Sequence, residues 1–112
     1  MASEIEPRDA AALIESGAVL IDVRDADEYE AGHIAGARHV PIDRLGQEDV
    51  GDGAVVLYCR SGDRSQAAAD AFAASGRDAH SIAGGLLAWT EAGLPIEPEG
   101  GTVAERTGLP PA

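Results

Sequence analysis

The sequence predicts an α/β fold, a parallel sheet covered by helices on both faces, and two observations carry that expectation. The first is Val55 to Tyr58, VVLY, four apolar or aromatic residues without a charge among them. That is the pattern of a strand buried on both faces, and such strands belong to parallel sheets. The second is alternation along the chain, in which short apolar runs are separated by helical segments, the arrangement that crossover connections between parallel strands require. At 112 residues the chain reads as one domain, a size that buries between ~60% and ~70% of its unfolded surface. Only four residues are aromatic against 45% hydrophobic. The core must therefore be built from Ala, Val, Ile and Leu, which implies close helix-to-sheet packing.

In order, Ile5 starts a short strand, and Pro7 opens a helix through Leu13 and Ile14 that stops at Gly17, with proline at the first turn and glycine just past the end. Val19 to Val23 is the first strong strand, with Asp22 and Arg24 at its carboxyl edge, the edge that borders the site in open α/β sheets. Arg24, flanked by Asp22 and Glu28, reads as part of a local ion pair that holds a loop. His33 reads as a hydrogen-bonded loop histidine and is left outside the catalytic set. Ala37 to Pro41 carries a second short strand, followed by a turn of helix around Ile42 to Leu45. The run Asp49 to Gly53, DVGDG, is turn chemistry leading into the VVLY strand. Gln66 to Ser75 is an Ala-rich helix that Ser65 can cap and Gly76 stops. Ala79 to Ile82 is the last strand, and Gly84-Gly85 introduces a helix carrying Leu86, Leu87 and Trp89, the Trp being read as core. The domain is expected to span 5–96, with an N-terminal extension at 1–4 and an acidic, Gly- and Pro-rich segment at 97–112 that reads as a flexible tail or as a strap across the surface.

Composition excludes several classes of function. One cysteine rules out an internal disulfide or a chelating cysteine pair, and the three scattered histidines lack metal-ligand spacing. No metal and no cofactor are expected. Eight arginines, no lysine and twenty acids give a net charge of -12, which argues against nucleic acid or anionic membrane as partner. No run approaches ~18 apolar residues and the first residues have no signal-peptide pattern, so a cytoplasmic location is the default expectation; a monomer is expected as well.

The chemistry concentrates at the single cysteine. Cys59 follows the buried strand directly, and Arg60, Ser61, Gly62, Asp63, Arg64 and Ser65 connect it to a helix start. Backbone N–H groups in such a loop turn inward and the helix end is partially positive, so an anion is favoured there. Thiols in these surroundings are held as thiolates more readily than a free cysteine at ~8.5. Cys59 therefore reads as a nucleophile. The plainer alternative is a small buried hydrophobe, but packing gives no reason for two arginines and a glycine to follow it.

The segment CRSGDRS resembles the active-site loop of rhodanese (thiosulfate sulfurtransferase) domains. The likeness extends upstream to Ile21-Asp22-Val23-Arg24, Glu28-Tyr29, Gly32-His33-Ile34, Gly36-Ala37 and Pro41, and downstream to Gly84-Gly85, Trp89 and Gly93-Leu94-Pro95. It implies a five-stranded parallel sheet flanked by helices, with the loop as a cradle around the cysteine. It further implies transfer of a sulfane sulfur from thiosulfate or a persulfide, through a Cys59 persulfide, to an external thiol, cyanide or a protein acceptor. Arg60 and Arg64 are candidates for gripping the substrate anion, although Arg64 can instead be tied to the loop itself. Ser61 and Ser65 either donate hydroxyl hydrogen bonds or, for Ser65, cap the helix. Two rivals stand beside this reading. Cysteine phosphatases and arsenate reductases resemble one another in placing five residues between Cys and Arg. Here there are four, Arg60 to Asp63, a smaller ring, and Asp63 adds negative charge to it. A non-enzymatic, partner-binding member of the same family is the second rival, weakened by the retained cysteine.

Overall fold

Val55–Tyr58 is buried along its whole length and occupies the middle of a five-stranded, all-parallel sheet. The computed structural model describes residues 2–104 of the chain. The strands are β1 (Ser3–Ile5), β2 (Val19–Asp22), β3 (Arg38–His39), β4 (Val55–Tyr58) and β5 (Ala79–Ile82), arranged in the order β1-β5-β4-β2-β3. Four α-helices are present among the described residues, α1 (Pro7–Glu15), α2 (Ala26–Ala31), α3 (Asp63–Ala74) and α4 (Gly85–Glu91), with a 3-10 helix at Ile42–Gln47.

The period of two along β4 divides the core into two layers. Val55, Leu57 and Cys59 join Ile21, Val23 and Ala79 beneath α3, with Leu45 and Phe72 packed against that layer. Val56 and Tyr58 join Leu20, Ile82, Leu86 and Trp89, with Leu13 and Ile14 of α1 alongside. Helices thus cover both faces, as the apolar run at 55–58 requires. The expected small-residue packing is visible at Ala68 and Ala69 of α3 and Ala10 of α1, all buried. Trp89 is core as expected, with its indole N–H donating to the Pro95 carbonyl at 2.8 Å.

Several boundaries differ from the sequence expectation, each for a local reason. β1 begins at Ser3, inside the expected N-terminal extension, because Ser3 and Glu4 take up register with His80 and Ser81. α3 begins at Asp63, three residues before Gln66, with Gly62 in the left-handed conformation (φ 108°) at its N-cap. Ser65 therefore lies inside the first turn and is not the cap. The stretch expected as a loop after Arg24 contains α2, started by a reciprocal pair in which Asp25 and Glu28 each bond the other's backbone N–H. The acidic segment expected as a flexible tail or a surface strap makes backbone contacts over its first half. Glu97 exchanges backbone hydrogen bonds with His33, Thr102 N–H donates to the Ala31 carbonyl at 2.8 Å, and Val103 packs on the core. The remainder of that expected tail, 105–112, lies outside the described residues.

Among the described residues no helix is long and apolar enough to cross a membrane.

Candidate active site

Cys59 follows the last residue of β4 and is 1% exposed. Two backbone N–H groups point at its sulfur, those of Gly62 at 3.1 Å and Ser65 at 3.4 Å. The reason they point inward lies on the other side of the loop. The first N–H groups of a helix have no partner within it. In α4 those of Leu86 and Leu87 take the carbonyls of Cys59 and Arg60, at 2.8 and 3.1 Å. Drawing these carbonyls outward leaves the loop's N–H groups to face the sulfur. The contact needs a glycine at position 85, whose φ is +61° and where a Cβ would stand 2.5 Å from the Cys59 carbonyl oxygen and 2.6 Å from that of Arg60.

A bidentate ion pair holds the start of α3. Arg64 Nη1 and Nη2 donate to Oε1 and Oε2 of Glu28, both at 2.9 Å, with the Glu28 side chain fully buried and that of Arg64 21% exposed. Burial works to raise the Glu28 carboxyl. The Arg64 hydrogen bonds, the Asp25 N–H and the charges of Arg64 and Arg24 outweigh it, so Glu28 is held below the usual carboxylate range. Hydrogen bonding to Glu28 in turn holds the Arg64 guanidinium above its ordinary value, against the effect of burial.

The carboxyl edge of β2 is braced separately. Arg24 and Asp22 are both fully buried and joined by hydrogen bonds of 2.7 to 3.1 Å, and Arg24 also donates to the Gly32 carbonyl. The Tyr58 hydroxyl accepts the Ile34 N–H at 3.0 Å. Burial, reinforced by the charge of Asp22, pushes the pKa of this hydroxyl up and keeps it protonated. The expected local ion pair is therefore Asp22 with Arg24, while Glu28 belongs to the cysteine loop, 36 residues away in sequence. His33 is hydrogen-bonded through Nδ1 to the Tyr29 carbonyl and stacked on the Tyr29 ring, a loop histidine as expected.

Of the seven residues singled out in the sequence, the structure gathers Cys59, Gly62 and Ser65 around the sulfur. Arg64 is turned to Glu28. Arg60 is half-buried, and its Nε is buried with no hydrogen-bond partner among the described residues. Ser61 and Asp63 are exposed. Asp63 occupies the first position of α3, where a carboxylate suits the helix's positive end, so its charge lies in solvent and gives no argument against an anion in the loop. Among the described residues no group of three or more His, Cys, Asp or Glu could hold a metal ion.

The model of the rhodanese-like domain matches residues 6–92, more than three quarters of the chain. The chain belongs to the rhodanese-like family. Over 90 residues it is 41% identical to thiosulfate sulfurtransferase GlpE of Pseudomonas fluorescens (strain SBW25), a match covering 76% of this chain and 82% of that protein. Over 94 residues it is 43% identical to the HTH-type transcriptional regulator Rv0324 of Mycobacterium tuberculosis, covering 74% of this chain and 39% of that protein. Among solved structures it is similar to the rhodanese-related protein of Thermoplasma volcanium, with a TM-score of 0.77 at 28% identity over 85% of this chain and 97% of the other. Thiosulfate sulfurtransferase from Pseudomonas aeruginosa gives a TM-score of 0.77 at 32% identity, over 87% of this chain and 19% of that one.

Within this rhodanese-like domain, sequence reasoning missed Glu28 as the partner of Arg64 and missed the contact of the Ser81 hydroxyl with that of Ser65, at 2.7 Å. The Asp25-x-x-Glu28 spacing was a readable signal for α2, which carries Glu28. Ser81 gave a weaker one, a hydroxyl between Ala79 and Ile82 in a run read as a strand.

Proposed function

We propose that the protein is a sulfurtransferase that carries a sulfane sulfur on Cys59. The observation that supports this reading is the pair of backbone N–H groups, of Gly62 and Ser65, directed at the Cys59 sulfur from a loop whose carbonyls are held away by α4. Fixed N–H dipoles around a sulfur stabilise the thiolate and then the persulfide that replaces it, with no reorganisation at the moment of reaction.

In the first half-reaction the Cys59 thiolate attacks the outer sulfur of thiosulfate. A sulfur-sulfur bond forms at Cys59, the bond within thiosulfate breaks, and sulfite leaves with its electron pair. In the second, a nucleophile attacks the outer persulfide sulfur and the Cys59 thiolate departs. Cyanide becomes thiocyanate, and a thiolate becomes a persulfide. Because no second cysteine is present, the resolving nucleophile comes from outside. Cys59 itself is buried, and the added sulfur stands ~2 Å farther out, which is what an external acceptor has to reach. Arg60 is the residue assigned to the sulfonate oxygens of thiosulfate, since Arg64 is already engaged by Glu28 and the Arg60 side chain is only half-buried beside Cys59. Ser61, Gly62, Asp63 and Ser65 form the rest of the loop.

The relation to thiosulfate sulfurtransferase GlpE supports the same donor. A partner-binding reading draws on a different relative, the transcriptional regulator in which the matching region is 39% of the protein. The discriminating experiment is thiosulfate:cyanide sulfur transfer by the wild type and by Cys59→Ser, whose hydroxyl is un-ionised and carries no persulfide. Transfer that disappears in the variant, with the fold retained by circular dichroism, is expected. Equal transfer by both proteins would refute Cys59 as carrier, and no transfer by either would favour the binding module.

A further inference from the structure

Ser81 is a polar residue in a place that calls for an apolar one. It lies in β5, paired in register with Leu57 of β4, and is 0% exposed. With Ala79 two residues earlier in the layer beneath α3, the strand period puts Ser81 on that same face. A buried hydroxyl with no partner forfeits its hydration without recompense, so its partner matters. That partner is the Ser65 hydroxyl at 2.7 Å, itself 0% exposed.

The proton count orients the chain of contacts. A serine hydroxyl has one proton to give and two lone pairs to receive. The Ser65 proton is directed to the Gly62 carbonyl at 3.3 Å. With the Ser65 proton given to that carbonyl, the proton between the two serines is that of Ser81, although either hydroxyl can donate in this contact. A line of hydrogen bonds therefore leads from the rigid sheet into the loop, from Ser81 to Ser65 and on to Gly62. Its two loop members, Ser65 and Gly62, are the residues whose backbone N–H groups meet the Cys59 sulfur.

We propose that Ser81 is a positioning residue, which acts through the Ser65 hydroxyl to keep the Gly62 and Ser65 N–H groups aimed at the Cys59 sulfur. It touches neither the sulfur nor a substrate. The α4 contacts turn the loop's carbonyls outward; Ser81 fixes the loop from the opposite side, where α3 meets β5. Without the Ser81 hydroxyl, Ser65 keeps only its long contact to Gly62, and the two donors lose their anchor to the sheet.

The inference rests on Cys59 being a nucleophile, and its test reads nucleophilicity without requiring sulfur transfer. The rate of Cys59 alkylation by iodoacetamide at fixed pH is measured for the wild type, Ser81→Ala, Ser65→Ala and the double variant. Ser81→Ala is expected to react about 2- to 4-fold more slowly, the part of one hydrogen bond that survives the opposing gain in intrinsic nucleophilicity of a less stabilised thiolate. Because Ser81 acts only through Ser65, the double variant should react no more slowly than Ser65→Ala. A second pair guards against misfolding: Ser81→Thr and Ser81→Val fill the same volume and differ by the hydroxyl, and Thr should react faster by a similar factor. A wild-type rate in Ser81→Ala, multiplied losses in the double variant, or equal rates for Thr and Val would each overturn the proposal. A protein that moves no sulfur yet shows these differences refutes the sulfurtransferase reading and leaves Ser81 in its role.

Discussion

Gly85→Ala tests the contact that turns the cysteine loop inside out. At φ +61° a residue with a side chain is strained by about 1 to 2 kcal/mol. Space adds a second cost. The new Cβ would lie 2.5 and 2.6 Å from the carbonyl oxygens of Cys59 and Arg60, whereas carbon and oxygen approach to about 3.3 Å at closest. Backbone must yield by most of an ångström, and the acceptors that move are those of the Leu86 and Leu87 N–H groups, now at 2.8 and 3.1 Å. Losing two hydrogen bonds at about 0.5 to 1.5 kcal/mol each brings the expected total to about 2 to 5 kcal/mol. Gly93→Ala is the control, because Gly93 shares the positive φ (+81°) but has nothing within 4 Å of its Cβ position. It should lose only the strain, about 1 to 2 kcal/mol. Urea unfolding of the three proteins measures the difference, and iodoacetamide alkylation of Cys59 shows whether the sulfur loses its donors in Gly85→Ala alone. Equal destabilisation by the two substitutions, or unchanged alkylation in Gly85→Ala, would refute the link between α4 and the loop.

The other predictions concern charge. Arg60→Ala should weaken transfer from thiosulfate by about 1.5 to 3 kcal/mol, the scale of a hydrogen bond to a charged group, and transfer from an uncharged persulfide donor much less. Arg64→Ala should slow both donors alike, since its partner is Glu28; the reverse pattern in steady-state kinetics would exchange their roles. Glu28 has a folded value below its unfolded one, so its ion pair contributes stability that is present above the unfolded carboxylate value of about 4.3 and is lost as pH falls through the lower folded value. Urea midpoints of wild type and Glu28→Gln should therefore differ most at neutral pH and converge in acid, and a constant gap would show that the pair carries no such linkage.

The parts of this protein legible in the sequence are those written in local pattern. The uncharged VVLY run placed the central strand, Pro7 and Gly17 bracketed the first helix, and Cys59 with its loop stood out by composition. What escaped depends on distance or on competing local rules. α2 is six residues of ADEYEA, too short to show an apolar period, and its charges read as a loop ion pair. The Glu28 and Arg64 pairing spans 36 residues and the Ser65 and Ser81 pairing 16, separations that no spacing rule reaches. Ser65 is a good capping residue, but Gly62 in the left-handed conformation starts the helix sooner and leaves Ser65 free to face the sulfur and β5. The segment after Ile96 has so little apolar content that the sequence leaves both a solvated tail and a surface strap open, and backbone hydrogen bonds to Ala31 and His33 attach it as far as the described residues extend. Propensity registers side chains and misses backbone pairing of this kind.

The central claim, a sulfur carried on Cys59, is tested most directly by the intact mass of the protein after treatment with thiosulfate and removal of excess reagent. The expected result is a gain of one sulfur atom by the wild type, reversed by cyanide or by a thiol and absent in Cys59→Ser. An unchanged mass in the wild type, or the same gain in Cys59→Ser, would contradict it.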